Sequence, residues 1–589
     1  MSGLVTGAAA PRLAVAILWH MHQPQYRDAC TGEYVLPWTY LHAIKDYVDM
    51  AAHLEQVPGA RAVVNFTPVL LEQIDEYARR IAAHLSKGEP LGDAVLACLS
   101  DAPLPTDSGA RAALLQALLR ANQERLVERH PPFAALAAIA RQVATPQRAA
   151  WASDALIHDL AVWYHLAWLG ETVRRADPRV AALEARSQAY TVAERRELLT
   201  LIGELLAGVL PRYRALAASG RVELSVTPYG HPILPLLFDL HVARETQPSV
   251  ELPRHRAYPG GAARAAWHVE AGLRVFEQHF GFRPVGCWPA EGAVHTQSLQ
   301  LLESAGFRWA ATSANVLRAS LGARADDPGA YDRPWRVAEG SLRCFFRHDQ
   351  LSDAIGFEYS RWHGDHAAAH LAAELGALAD RWRAAGAADT GSAGSADAIA
   401  GRLVLVALDG ENAWEHFPSN GYWFLRAMYA AIAADPRLEL VTLGEFCARD
   451  AAAPSLDRVA AGSWVHGTLS TWIGDPAKNA AWDLLCDAKL AFDAVVAAGR
   501  LQGEALRAAE QQLALCESSD WFWWFGDYNP IDAVRQFDEL YRRQLKTLYR
   551  RLGLEPPAQL DAPLARQGGD EGGNQGHPEL GGVMRRAHA

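Results

Sequence analysis

Basic residues are in the minority in this chain: 56 Lys and Arg stand against 67 Asp and Glu, a net charge of −11 at pH 7. A partner rich in phosphate needs basic patches to offset its charge, so nucleic acid and anionic membrane surfaces are poor candidates. Cysteine is scarce too. Its 7 copies (Cys30, Cys98, Cys287, Cys344, Cys447, Cys486 and Cys516) are scattered, with no C-x-x-C pair. An odd, dispersed set argues against a disulfide frame or a zinc ribbon and fits buried thiols in a reducing compartment. Long apolar runs are missing as well; none approaches the ~18 residues of a membrane helix. The apolar run from Leu13 to Trp19 is short, lacks a Lys-rich lead and flows straight into histidines. It reads as a first core strand rather than a signal peptide. The expectation is a cytoplasmic protein with a neutral, small-molecule or sugar-like partner, no nucleic-acid or membrane partner, and no cofactor.

Half of the 589 residues are apolar and 21% are charged, enough to bury a large core. There are 19 tryptophans, clustered near polar motifs. Some belong to the core. Others suit sugar platforms, since the C–H face of a pyranose stacks on an aromatic plane.

Short β-rich runs alternate with long helical ones. Strands are predicted at 12–19, 61–66, 222–226, 284–288, 308–312, 343–346, 402–408 and 438–442, with helices between them, for example 261–280 and 366–384. That alternation predicts an α/β fold with a parallel sheet closed into a barrel. Residues 1–450 form the catalytic barrel on this reading, with a helical insertion at about 69–218. Residues 451–560 follow as an all-helical C-terminal domain completing the cleft, and 561–589 as a disordered tail. The small-residue stretch 385–400 reads as a flexible loop.

Barrels of this kind build their active sites from loops at the C-terminal ends of the strands, and several predicted strands end unusually. The first runs into "WHMHQPQY", where His20 and His22, two residues apart, share one face of an extended chain. They are either one structural and one exposed histidine or an H-x-H metal pair. The third ends in "TPYGHPILPLL", with His231 between Gly230 and Pro232. The fourth ends in "CWPAEGAV", where Glu291 is the only polar side chain in a Trp/Pro/Ala/Gly frame. The seventh runs into "ALDGENAWEHF", ending an apolar strand on Asp409, Glu411 and Glu415. Two carboxyls facing one another across a cleft are what glycoside hydrolysis needs, one attacking the anomeric carbon and the other moving the proton.

In order along the chain, His22-Gln23-Pro24, Gly230-His231-Pro232 with Pro235, Trp288-Pro289-Ala290-Glu291, Asp409-Gly410-Glu411 and Ser519-Asp520-Trp521 resemble the five motifs of glycoside hydrolase family 57. "TWIGDPAKNAAWDLL" (471–485) is similar to a stretch in its amylopullulanase-like and α-amylase-like members. The resemblance covers about 13–550 and implies an incomplete (β/α)7 barrel acting on α-glucans. It implies retention, with Glu291 as nucleophile and Asp409 as general acid/base. By the same resemblance His20, His22, Gln23, His231, Trp288, Glu411, Trp414, Asp520 and Trp521 form the substrate-binding set, with no metal in the chemistry. Glu411 and Glu415 are supporting or sugar-binding groups rather than proton carriers. The run Asn412-Ala413-Trp414-Glu415-His416 departs from the Gly and His or Trp that often follow D-G-E. It favours the amylopullulanase-like subgroup, with α-1,4 linkages of starch, glycogen or maltodextrin as targets and α-1,6 linkages as a further one. A 4-α-glucanotransferase on the same site, a metal-dependent deacetylase or amidohydrolase using His20, His22, His231 and Asp409, and a non-catalytic glucan-binding protein are the alternatives.

Overall fold

The computed structural model describes residues 11–390, 399–449, 452–526 and 528–564. The ten strands in this region, in chain order, are β1 (Leu13–Met21), β2 (Ala62–Phe66), β3 (Val222–Val226), β4 (Gly286–Cys287), β5 (Trp309–Ser313), β6 (Trp335–Val337), β7 (Arg343–Arg347), β8 (Leu403–Asp409), β9 (Leu438–Leu440) and β10 (Ser455–Leu456). Seven of them (β1, β2, β3, β4, β5, β7 and β8) pair in parallel and close on themselves through β7–β8 and β8–β1. Helices connect them, so the fold is the (β/α)7 barrel. β9 adds to β1, while β6 runs antiparallel to β7 and carries β10 on its far side.

β1 up to Trp19 and β8 up to Leu408 are apolar at every position because successive side chains alternate between two buried faces. Ala14, Ala16 and Leu18 of β1 and Leu403, Leu405 and Ala407 of β8 face the barrel interior, where they pack with Trp288, Trp309 and Phe345. Leu13, Val15, Ile17, Trp19, Val404, Val406 and Leu408 belong to the larger outer core under the helices. The alanines at 14, 16 and 407 leave room for the two indoles, so the barrel is filled rather than hollow.

All eight predicted strands are present within a few residues. Two are additional, β6 and β10, and β10 corrects the expectation that everything after 450 is helical. Residues 452–475 are largely irregular, and helices resume at Pro476–Ala497, Gly503–Cys516, Ser519–Trp524 and Ile531–Arg551. The first of these starts as its sequence dictates: Asp475 caps the backbone N–H groups of Ala477 and Lys478, and Pro476 occupies the first turn. The stretch expected to be a flexible loop begins instead as helix, since Gly364–Thr390 is continuous. Residues 391–398 and the expected tail from 565 onward lie outside the described residues. Between β2 and β3 the chain is helical, from Pro68–Lys87 to Val192–Ala218. Among the described residues no helix is long and apolar enough to cross a membrane.

Candidate active site

Strand register brings the site together. His20 pairs with Asn65 on one side and with Asp409 on the other, and Asn65 pairs with Ser225. The inward face of the barrel therefore changes from apolar to polar at one level, one rung above Leu18 and Ala407. Gly410, just past β8, is dictated by packing, since a Cβ there would collide with Met21 Sδ at the end of β1.

The histidines form a hydrogen-bonded chain whose direction follows from its ends. Asn65 Oδ1 lies 2.7 Å from His20 Nδ1 and also accepts the Thr227 hydroxyl. The amide of Asn65 donates to Ser225, which fixes its oxygen toward the histidine. His20 Nδ1–H is thus a donor, and in the neutral ring Nε2 accepts from His231 Nε2–H at 3.1 Å. His231 Nδ1 is left to accept the Ser519 hydroxyl at 2.8 Å. Both rings are neutral in this arrangement. Burial, with His22 nearby, lowers His20 to about 3 and pushes His231 well below its ordinary value. His22 stacks on His231 at 3.7 Å between ring centroids and meets the Asp520 carboxylate at 2.7 Å. Ser519 and Asp520 thereby tie the C-terminal helices to the barrel mouth.

Glu291 has a left-handed backbone (φ 57°), as does Gly292 after it, and His231 does the same at φ 56°. A non-glycine residue there costs about 1–3 kcal/mol and is kept only where its surroundings enforce it. For Glu291 the enforcer is Trp464. Its indole N–H donates to Glu291 Oε2 at 2.9 Å, and its backbone N–H donates to the Glu291 carbonyl at 3.1 Å. Burial first, then the Asp409 charge, raises Glu291 to about 8, with the Trp464 bond opposing. Burial also raises Asp409, to about 6, against the Asn412 amide (2.8 Å) and the positive fields of His22 and Arg347. Glu411 is 2% exposed, and its Oε1 accepts from the His22 backbone N–H and from Gln23. It staples the first motif to the fourth. Burial and the Asp409 charge push its carboxyl well up.

A cavity of about 390 Å³ is lined by Glu291 and Asp409 together with His20, His22, Gln23, Glu411 and Asp520. His231 lies behind it, 1% exposed, supporting His20 and His22 from below. Trp288, Trp414 and Trp521, expected in the substrate-binding set, are not among the residues lining it. Trp288 is fully buried with its ring edge-on to Trp464 at 5.0 Å; Trp414 is spent on the Gly410 carbonyl and Trp521 on that of Leu515. Glu415 is also buried away from the cavity lining. The aromatic wall comes instead from Trp38, Trp464, Trp523, Trp524 and Phe537. Sequence reasoning missed these, and it missed Arg347 at the end of β7 and Asp349 and Asp353 just after it, which also line the cavity. The signal for Arg347 and Asp349 was the run "FRHDQ" at a strand end. For Trp464 there was none.

Among the described residues, His22, His231 and Asp520 bring one ligand atom each within 4.8 Å of one another. Two histidines and a carboxylate suit zinc or iron. Here, however, His22 Nε2 is bonded to Asp520, and both nitrogens of His231 are bonded to protein atoms. A metal would have to break those bonds, and the set includes neither His20 nor Asp409, so it does not fit the H-x-H alternative.

Among solved structures the fold is similar to a family 57 branching enzyme from Thermococcus kodakaraensis (TM-score 0.54, 14% identity, covering 92% of this chain and 90% of that one). It is also similar to a branching enzyme from Pyrococcus horikoshii (0.53, 16%, 96% and 99%) and to the α-amylase AmyC from Thermotoga maritima (0.52, 12%, 92% and 97%). At these identities the likeness carries the fold and leaves the reaction open. A search by sequence finds no match among curated proteins. The sequence profile described as Glycosyl hydrolase family 57 does match, over residues 16–455, and the chain belongs to that family.

Proposed function

We propose that the protein is a retaining glycoside hydrolase of α-glucans, with Glu291 as nucleophile and Asp409 as general acid/base. The supporting observation is the pair itself: two half-buried carboxyls at the ends of different strands, lining one cavity, each raised above its ordinary value. Over a window near neutral pH such a pair holds one proton between them, and the two steps belong to the pair rather than to either residue. One carboxylate and one carboxylic acid is the state the reaction starts from. Glu291 Oε attacks the anomeric carbon as the glycosidic C–O bond breaks and the leaving oxygen takes the Asp409 proton. Asp409, now ionised, removes a proton from water, which displaces Glu291.

In the protein alone, burial favours the shared proton on Glu291. Positive charge developing on the sugar beside Glu291 favours its anion and moves the proton to Asp409, while the Trp464 N–H assists. A neutral His20, several carboxyls and an aromatic wall suit an uncharged sugar better than an anionic ligand. By resemblance the linkages are α-1,4, with α-1,6 added in an amylopullulanase-like member.

Glucan transfer is the second reading. It uses the same covalent intermediate, with an acceptor sugar hydroxyl in place of water. The aromatic wall of Trp38, Trp523, Trp524 and Phe537 favours it, because such a wall excludes water and stacks an acceptor ring. The test is product analysis with maltooligosaccharides, amylose and pullulan for wild type, Glu291→Gln and Asp409→Asn, with and without chelator. Release of α-configured sugars that ignores chelator and falls by roughly 10²–10⁴ in both variants supports the pair. Longer oligosaccharides in place of reducing ends would identify transfer. Activity that survives Glu291→Gln, or disappears with chelator, would refute the two-carboxyl assignment.

A further inference from the structure

A buried charge cluster beside the cavity has no part in the chemistry above. Residues 38–56 form one helix interrupted by a π-helical turn: Trp38–His42, then Ala43–Tyr47, then Val48–Gln56. Single π turns inside α-helices recur at functional sites. In this turn Lys45 and Asp46 are both 0% exposed. Lys45 Nζ donates to Asp46 Oδ1 at 2.6 Å and to Asn420 Oδ1 at 3.1 Å, and it lies 5.2 Å from the centroid of the Trp168 ring. The second oxygen of Asp46 meets His42 Nδ1 at 2.7 Å. Asn420 is itself left-handed (φ 54°), in the turn that follows the fourth motif.

Desolvating two ions costs several kcal/mol each, and well-packed apolar residues of similar volume often serve stability as well. Stability alone is therefore a weak reason for a lysine and an aspartate here. Their effect on His42 is specific. With Asp46 taking the proton on Nδ1, the neutral ring presents Nε2 as a bare acceptor, and an edge-on Trp168 at 5.5 Å fixes the ring plane. Burial lowers the pKa of His42, against the pull of Asp46, so the neutral form prevails. Among the described residues Nε2 has no hydrogen-bond partner, and it is not among the sealed, unsatisfied polar atoms. His42 lines the cavity that holds Glu291 and Asp409, and so does Trp38, one helical turn away on the same face.

We propose that His42 is a sugar-binding residue of this cavity, accepting a glucan hydroxyl at Nε2, with Asp46 and Lys45 as positioning residues that fix its tautomer and ring. The inference rests on the reading of the cavity as an α-glucan site. An apolar ring face at Trp38 beside a fixed acceptor at His42 matches a pyranose, with its C–H face and equatorial hydroxyls.

The test separates the two nitrogens. In His42→Asn the side-chain amide reaches the Nδ1 position and can still meet Asp46, but nothing occupies the Nε2 position. In His42→Gln the amide reaches the Nε2 position. One lost hydrogen bond of about 1.4 kcal/mol is a factor of about ten. His42→Asn is expected to raise KM for maltoheptaose about tenfold with kcat within about threefold and an unchanged melting temperature. His42→Gln is expected to return KM to within about threefold of wild type. The same ranking is expected in Kd for maltoheptaose, measured by calorimetry in a Glu291→Gln background. Wild-type KM and Kd in both variants would overturn the proposal. So would equal losses in both, falling on kcat and melting temperature as well, because that pattern marks a structural histidine. Wild-type protein that neither cleaves nor transfers any maltooligosaccharide would overturn the glucan reading itself, an outcome distinct from either variant result.

Discussion

Glu291→Gln should cost the protein its activity and make it more stable, and the gain should depend on pH. The glutamine keeps the side-chain volume, and its carbonyl can still accept the Trp464 N–H that holds Oε2. It removes only the ionisation. In the folded protein the Glu291 carboxyl is raised from 4.5 to about 8, first by burial and then by Asp409. The side chain is 15% exposed, so solvent screening is slight. The difference of about 3.5 units corresponds to about 5 kcal/mol at 1.36 kcal/mol per unit. A group whose folded pKa is raised holds its full stabilising effect below the unfolded value and loses it as pH rises through the folded value. At pH 4 the two proteins should be alike. Between pH 4.5 and 8 the unfolded wild type releases a proton that the folded wild type retains, and the variant gains steadily, reaching about 5 kcal/mol by pH 9. With an unfolding entropy of about 2.1 cal/mol/K per residue, the 589 residues give roughly 1.2 kcal/mol/K, so the melting temperature should rise by about 4 °C at pH 9 and by almost nothing at pH 4. Scanning calorimetry across pH 4–9 measures this. An offset that is the same at every pH, or a variant that is less stable at pH 9, would show that the Glu291 carboxyl ionises normally and that the burial argument is wrong. Gain of stability on removal of a catalytic charge is the usual trade at an active site.

Three further expectations rest on neighbouring groups. Because the proposed chemistry needs one proton on the pair, kcat/KM for maltooligosaccharides should be bell-shaped, with limbs near 6 and 8 that belong to the Asp409–Glu291 pair as a whole; an optimum near pH 4 with decline above 5 would contradict it. Trp464→Phe keeps a ring against Trp288 but removes the donor to Glu291, so the alkaline limb should move up by about one unit and kcat/KM should fall about tenfold; an unchanged pH profile would remove Trp464 from the site. Glu517, held down to about 2 by Arg264 and His268 against burial, anchors the turn bearing Ser519 and Asp520, with Arg264 Nη2 at 2.7 Å. Glu517→Gln leaves Arg264 as an uncompensated buried charge and should cost about 3–5 kcal/mol in urea unfolding at pH 7. The native pair's contribution is present above pH 4.5 and is lost as pH falls toward 2, so the wild-type advantage should shrink in acid; equal stability at pH 7 would refute the anchoring role.

What could be read in the sequence, and what could not, divides by the range of the interactions responsible. β1 and β8 were legible because strands buried on both faces are continuous apolar runs, and their ends were legible because His20 and Asp409 break those runs at one level of the barrel. β6 and β10, three and two residues long, have no pattern of their own and exist only because they pair with each other and with β7. That pairing has a consequence at the site. It directs the irregular segment after Leu456 back over the barrel mouth, where Gly462 bridges Val294, and places Trp464 on a carboxylate 173 residues earlier in the chain. No local property of "GSWVHG" specifies that contact. The tryptophans failed as markers for a different reason. An indole is mostly carbon with one donor, and it is equally suited to a core or to a sugar platform. In "DWFWW" only the helix geometry of Ser519–Trp524 decides that Trp521 turns inward to the Leu515 carbonyl while Trp523 and Trp524 face the cavity. Carboxylates and histidines at strand ends are informative because burying them has a cost that function must justify. Aromatic residues carry no such cost, so their roles had to wait for the fold.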